Sequence, residues 1–191
     1  GNISLIRATL KLFEAAFQNK ENEYFVLLSD KCIPLYDLNT IYDKIVSIDK
    51  NVISNCVSNK ERFRFFQDEN FFEECNFVKQ GQFMILKRNS VKWFILNDYT
   101  YIFGEHFEAP DEHYFVNLCE KFNIPYLNKA ITYVNWNEGD KGHPKEYFAL
   151  SEEEIKEIKN NYGYHNHVLF IRKINKDCKL PNYYNTITGK N

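Results

Sequence analysis

An α/β fold is the expectation for this chain, and three observations lead to it. Short continuous apolar runs of the kind that form covered strands recur at residues 24–28, 83–86, 131–134 and 167–171. Between them lie stretches whose apolar residues repeat at three and four positions, the period of an amphipathic helix. With 44% hydrophobic and 17% aromatic residues over 191 positions, the chain has the material for a packed core and fits one domain.

The elements follow in order. Ile6, Leu10, Phe13 and Phe17 mark one helix face, ended by Asn19-Lys20-Glu21-Asn22. Tyr24-Phe25-Val26-Leu27-Leu28 reads as a central strand covered on both faces. It runs into Ser29-Asp30-Lys31-Cys32-Ile33-Pro34-Leu35, and since ligands gather at the carboxyl ends of strands in open α/β sheets, Ser29 and Asp30 sit where a site is expected. Ile41, Ile45 and Ile48 predict a helix capped by Asn39, and Val52-Ile53-Ser54 another strand. Residues 59–76 mix phenylalanines with both signs of charge, as either a sugar-stacking loop or an irregular segment pinned by aromatic rings. Gly81-Gln82 introduces a strand at 83–86, and residues 90–96, with Trp93, form a short helix. Gly104 then breaks an aromatic stretch at 99–103.

Pro110-Asp111-Glu112 reads as the first turn of a helix whose apolar face is Phe115, Leu118, Cys119 and Phe122. Unpaired N–H groups and the macrodipole favour carboxylates there, so Asp111 or Glu112 stays ionised at neutral pH and can accept a proton from a bound hydroxyl. Ordinary support of the helix start accounts for the same residues. A strand at 131–134 leads into the loop Asn135-Trp136-Asn137-Glu138-Gly139-Asp140-Lys141-Gly142-His143-Pro144-Lys145. There Trp136 is either a platform for a pyranose ring or a plug into the core. Ser151 and Glu154 predict a capping box, residues 167–171 a strand, and the chain from Lys176 a polar tail. The expected organisation is one domain over 1–175 and the tail over 176–191.

A net charge of −2 gives no sign of an electrostatic grip on nucleic acid, so none is expected as a partner, and it leaves room for a phosphate-bearing small ligand. The five cysteines include no Cys-x-x-Cys pair, which argues against a zinc site built on close ligand pairs. His165 and His167 alternate as on one face of a strand but have no third ligand nearby in sequence. No stretch approaches a membrane span, so a membrane enters only through an anchor upstream of Gly1. Asn2-Ile3-Ser4 is a glycosylation sequon, a hint of a secretory route.

Five stretches in order resemble the core-2/I-branching β-1,6-N-acetylglucosaminyltransferase family, with its plant relatives and the related xylosyltransferases. They are residues 24–35, Lys79-Gln80-Gly81-Gln82-Phe83, Pro110-Asp111-Glu112-His113, Val134-Asn135-Trp136-Asn137-Glu138-Gly139-Asp140 and Leu169-Phe170-Ile171-Arg172-Lys173. The resemblance implies a GT-A-like mixed sheet flanked by helices, with a nucleoside-seating strand expected upstream of Gly1. It also implies inverting, metal-independent transfer of a sugar from a nucleotide donor, such as UDP-N-acetylglucosamine, to a hydroxyl of a glycan acceptor. Xylose is the nearest alternative sugar, and no cofactor or metal is called for. The Golgi lumen or membrane is the implied compartment, or the cytoplasm for a viral or bacterial chain. Carried onto this sequence, the resemblance makes Glu112 the general base. Lys173 and Lys145 hold the donor diphosphate, with Arg172, Ser29, Asp30 and Gln82 on the donor side. Trp136, Asp111 and Glu61 fall on the acceptor side.

Inversion needs a base beside the acceptor and positive charge beyond the leaving group, aligned for direct displacement. In a metal-independent reaction, fixed ammoniums stabilise the departing diphosphate. Lysine at 145, where the family usually has arginine, binds phosphate as a point charge rather than a fork. Two rival readings stand beside this one: a glycan-binding or regulatory module of the same fold, and a metal-dependent nuclease using Pro110-Asp111 with Glu154-Ile155-Lys156 or Glu157-Ile158-Lys159. Against the nuclease, those Glu-x-Lys pairs fall in a charged helical segment rather than on a core strand.

Overall fold

The structure, a computed structural model, describes residues 2–57, 71–72, 77–103, 107–162, 168–182 and 184. Along the chain run α1 (Ile3–Phe17), β1 (Tyr24–Val26), β2 (Ile33–Pro34), α2 (Leu38–Ile48), β3 (Asn51–Val57), β4 (Val78–Lys87) and α3 (Arg88–Leu96). After two 3-10 turns (Thr100–Ile102 and Pro110–Glu112) come α4 (Tyr114–Lys121), β5 (Tyr126–Leu127), β6 (Thr132–Val134), β7 (Tyr147–Ala149), α5 (Glu152–Tyr162), β8 (Phe170–Arg172) and β9 (Ile174–Lys179). The mixed α/β architecture is the expected class, consistent with a GT-A-like fold. The chain forms two compact units, Gly1–Leu27 with Lys50–Asn128, and Leu28–Asp49 with Lys129–Asn191.

The first unit is built on a four-stranded sheet in the order β1-β4-β3-β5, antiparallel except for the parallel β3-β5 pair. Phe83, Met84, Ile85 and Leu86 of β4 are buried, and α1, α3 and α4 bring Ile6, Phe13, Val91, Phe94, Phe115 and Leu118 onto the core that Met84 and Leu86 share. The apolar run at 24–28 is therefore corrected: β1 is an edge strand, and of its three residues only Phe25 is buried. An apolar run records side-chain composition, whereas strand position depends on pairing with distant segments. The covered central position belongs to β4, which begins five residues earlier than the apolar run suggests because Lys79, Gln80 and Gln82 interrupt the pattern.

Three polar side chains lock this unit. Buried Asn51 donates to Ser90 Oγ (2.9 Å) and to the Pro125 carbonyl (2.7 Å), and its Oδ1 accepts from the Lys87 amide (2.8 Å). The Arg88 guanidinium donates to the carbonyls of Phe17 (3.0 Å), Asn19 (2.9 Å) and Asn22 (2.9 Å) and lies 4.0 Å from the centre of the Phe17 ring. It thus ties the last carbonyl of α1 to the turn that follows the helix. At the other end of α1, Asn2 Oδ1 accepts from the Ser4 amide at 2.9 Å, so the sequon asparagine is also the helix N-cap.

The second unit pairs β2-β8-β6 and, separately, β7 with β9, around Leu35, Tyr147, Leu150, Ile155, Ile171 and Ile174. The capping box forms as predicted: the Ser151 amide donates to Glu154 Oε2 (2.8 Å) and the Glu154 amide to Ser151 Oγ (3.1 Å). The cap of α2 is Asp37 rather than Asn39, its Oδ1 accepting from the Thr40 amide at 2.9 Å. Both residue types cap well, and the helix begins at Leu38, ahead of the first residue of the apolar spacing. Beyond Lys176 the chain continues in β9, and Tyr184 is buried in this core. Among the described residues no helix is long and apolar enough to cross a membrane, and no three His, Cys, Asp or Glu side chains gather as a metal site.

Candidate functional site

In the first unit the site is built on the Pro110–Glu112 turn. Ala109, just before it, holds a left-handed backbone (φ 50°), a conformation uncommon outside glycine. The turn is a 3-10 turn and the α-helix starts only at Tyr114, so the expected single helix from Pro110 is corrected. His113 causes the break. It is fully buried, its ring stacks on Phe77 (5.0 Å between centroids, 10° between planes), and its Nδ1–H donates to the Ala109 carbonyl at 3.0 Å. Anchoring that ring inside the core sets the turn on the strand rather than on the helix axis.

β4 completes the mount. Gln80 Oε1 accepts from the Val116 amide (2.7 Å), capping α4 from outside the helix. Asn117 donates to the carbonyls of Val78 (2.8 Å) and His113 (2.6 Å) and accepts from the Val78 amide (2.9 Å). With the backbone so tied, Glu112 is partly exposed and its Oε2 forms an ion pair with Lys79 Nζ at 2.7 Å. The neighbouring acid differs: burial pushes the Asp111 carboxyl up from its ordinary range. Gln82 is exposed on the same strand as Lys79 and Gln80. Glu61, and likewise His165 and His167, lie outside the described residues.

The second unit gathers the basic candidates. Loop 135–145 is wound tightly by its own polar groups: Asn135 Oδ1 accepts from the amides of Asn137 (3.1 Å) and Glu138 (3.1 Å), and the Lys145 amide donates to the Asn135 carbonyl (2.8 Å). Gly139 is required there, because a Cβ would lie 2.0 Å from the His143 carbonyl oxygen. Trp136 is 62% exposed on this loop, which removes the reading of it as a core plug. Lys145 pairs with Glu138 Oε2 at 2.8 Å and lies 4.9 Å from the Tyr147 ring centre. That hydrogen bond holds the lysine pKa up and the Glu138 pKa down.

Lys173, between β8 and β9, follows a cis peptide bond after Arg172. Its Nζ is 3.7 Å from Glu146 Oε2, while Lys31 Nζ is 2.7 Å from Glu146 Oε1. Asn175 Nδ2 also donates to Oε1 at 3.4 Å. The hydrogen bond from Lys31, opposed by desolvation and aided by the charge of Lys173, holds the Glu146 carboxyl below its usual range. Backbone bonds from the Ile174 amide to the Lys31 carbonyl (3.0 Å) and from the Tyr147 amide to the Lys173 carbonyl (2.8 Å) fix the three segments together. Ser29 braces the turn before Lys31, its Oγ accepting from the Lys31 amide at 3.3 Å, and Asp30 is exposed at its tip. Arg172 is half-buried on β8, opposite Val134 of β6.

The described candidates divide between the units: Asp111, Glu112 and Gln82 belong to one, and Ser29, Asp30, Trp136, Lys145, Arg172 and Lys173 to the other. Sequence reasoning passed over Lys79, Lys31 and Glu146. Lys79 and Lys31 lay inside quoted motifs, but an ion pair between residues 115 apart, as for Lys31 and Glu146, has no local signature.

A family model for the Core-2/I-Branching enzyme matches residues 1–159, a span that includes the Asp111-Glu112 turn, Trp136 and Lys145 and ends before Arg172 and Lys173. The chain is also similar to glycosyltransferase BC10 of Oryza sativa subsp. japonica, 37% identical over 60 residues, covering 31% of this chain and 15% of that protein's length.

Proposed function

Because the chain belongs to the Core-2/I-branching enzyme family, we propose that it carries the active-site residues of an inverting, metal-independent glycosyltransferase. In this reading it moves N-acetylglucosamine from a nucleotide sugar to a hydroxyl of a glycan acceptor. Glu112 removes the proton from the attacking hydroxyl. Lys173 and Lys145 stabilise the negative charge that builds on the departing diphosphate, with Arg172, Ser29, Asp30 and Gln82 on the donor side. Trp136 offers its ring to the acceptor sugar, and Asp111 and Glu61 are assigned to the acceptor as well.

The observation that carries this reading is the mounting of Glu112. Its carboxylate is partly exposed and held in one orientation by Lys79, on a turn tied to β4 through Gln80, His113 and Asn117. A base must be ionised, reachable and fixed in direction, and this side chain is reachable and fixed. The exposed Trp136 ring favours sugar recognition, which a non-catalytic glycan-binding module of the same fold would share.

Sugar transfer from UDP-N-acetylglucosamine and from UDP-xylose to a panel of glycan acceptors, with and without EDTA, tests the proposal. The expected result is transfer that EDTA leaves intact and that Glu112→Gln lowers by about 10²–10⁴-fold with donor binding retained. Full activity in Glu112→Gln would overturn the assignment, and glycan binding without any turnover would favour the module.

A further inference from the structure

Lys173 and Lys145, the two lysines placed on the donor diphosphate, do not share a partner. Lys145 is held by Glu138, whereas Glu146, the next residue along the chain, turns to Lys173 and is shared with Lys31. Two ammoniums thus converge on the two oxygens of a single carboxylate, at 2.7 Å and 3.7 Å. A carboxylate gripped on both oxygens by separate cations has the arrangement of an anion in an anion site.

The surroundings show that the arrangement is built. Lys31 is fixed in backbone by the bond from Ile174 to its carbonyl and by Ser29 behind its amide, and Asn175 adds a third donor to the same Glu146 oxygen. Lys31 and Asn175 also line a cleft of ≈ 250 Å³ together with Asp30, Lys176 and the apolar Ile33, Ile174, Cys178 and Leu180. Open space therefore adjoins two of the three donors. Glu146 stays ionised across the neutral range, since its carboxyl is held below the usual value.

We propose that Lys31 is a further diphosphate-binding cation alongside Lys173, and that Glu146 occupies the anion's place between them until the diphosphate displaces it. This extends the donor-side assignment of Lys173 made above and rests on it. Two lysines and one glutamate leave the cluster with a single net positive charge. A diphosphate brings more charge and more acceptor oxygens than a carboxylate, so it wins the two ammoniums, and the freed Glu146 side chain turns to solvent. Between the two lysines the Glu146 carboxylate offsets their mutual repulsion and holds them within reach of an incoming anion. Glu146 is accordingly a positioning residue and an internal competitor, and it sets how tightly donor is held.

Calorimetric titration of the full chain with inorganic pyrophosphate and with UDP tests this, together with ¹⁵N NMR of the lysine Nζ groups. Glu146→Gln should bind pyrophosphate about tenfold more tightly than the unaltered chain, and Lys31→Met about tenfold more weakly, with Lys31→Arg retaining binding. The Nζ resonances of Lys31 and Lys173 should both move on titration. Unchanged or weaker binding in Glu146→Gln, or unchanged binding in Lys31→Met, would overturn the proposal. Both side chains are partly exposed, so neither substitution removes a core contact. The pyrophosphate result is independent of turnover: loss of the Glu112 assignment would leave it standing, and its own failure would leave the effect of Glu112→Gln on transfer unaltered.

Discussion

Adjacent acids on one turn can have opposite environments, and Asp111 and Glu112 do. Glu112 reaches out to Lys79, while Asp111 is drawn into the protein and its carboxyl is raised by lost hydration, the nearby Glu112 charge adding to the effect. The folded chain consequently takes up a proton at Asp111 over a window where the unfolded chain has released it. Stability falls as pH rises from the ordinary aspartate range through the raised value, and the penalty is fully present above it. Asp111→Asn should therefore be more stable than the unaltered chain near about pH 7, with the advantage fading near about pH 3. Urea unfolding at the two pH values measures the difference, and an equal difference at both would show that the carboxyl carries no such penalty. Glu112, singled out by the family resemblance, is the partly exposed member whose carboxylate reaches Lys79, whereas the turn alone offered either acid. The sequence had no means of telling the two apart, because burial of Asp111 depends on how the turn is seated.

At the scale of elements, the ends of helices decide more than their middles. The apolar spacing foretold α1 and α2 with their buried Ile6, Phe13, Ile41 and Ile45, and Ser151-x-x-Glu154 foretold a cap, because capping within one turn is a local property. The caps made at a distance were invisible. Gln80 caps α4 from another element, and Arg88, 71 positions from Phe17, gathers three carbonyls at and after the end of α1. Arg88→Ala takes the guanidinium donor from those carbonyls, leaving water to replace it, and removes the ring contact with Phe17. The expected cost is about 1.5–3 kcal/mol, the range for hydrogen bonds to a charged group. Denaturant unfolding of Arg88→Ala should show a lower midpoint with an unchanged slope, and Arg88→Lys should recover little, since an ammonium cannot span three carbonyls with a planar fork. A midpoint equal to that of the parent chain would show that α1 ends on its own.

On the scale of the whole molecule, each compact unit is assembled from two separated segments: the chain leaves the first at Leu27 and returns to it at Lys50. The segment between, Leu28–Asp49, contributes β2, whose Ile33 and Pro34 pair with β8, and Leu35, which is buried in the second core. A polypeptide of residues 129–191 alone would lack that strand and that core residue. It should show no cooperative thermal transition by circular dichroism, whereas the full chain should; a sharp transition in the isolated piece would mean that its core closes without Leu35.

What the sequence by itself determined is whatever a short window encodes: the α/β class, the period of α1 and α2, the local cap at Ser151, the loop at 135–145, and the run of motifs that placed the chain in its family. Only the tertiary structure decided that β4 and not β1 is the covered central strand, that Asp111 turns inward, and that Glu146 joins Lys31 to Lys173. Periodicity and capping act between residues a turn apart, so they are written locally. Strand order, desolvation and ion pairing depend on which remote segments meet, and that is fixed only when the whole chain packs.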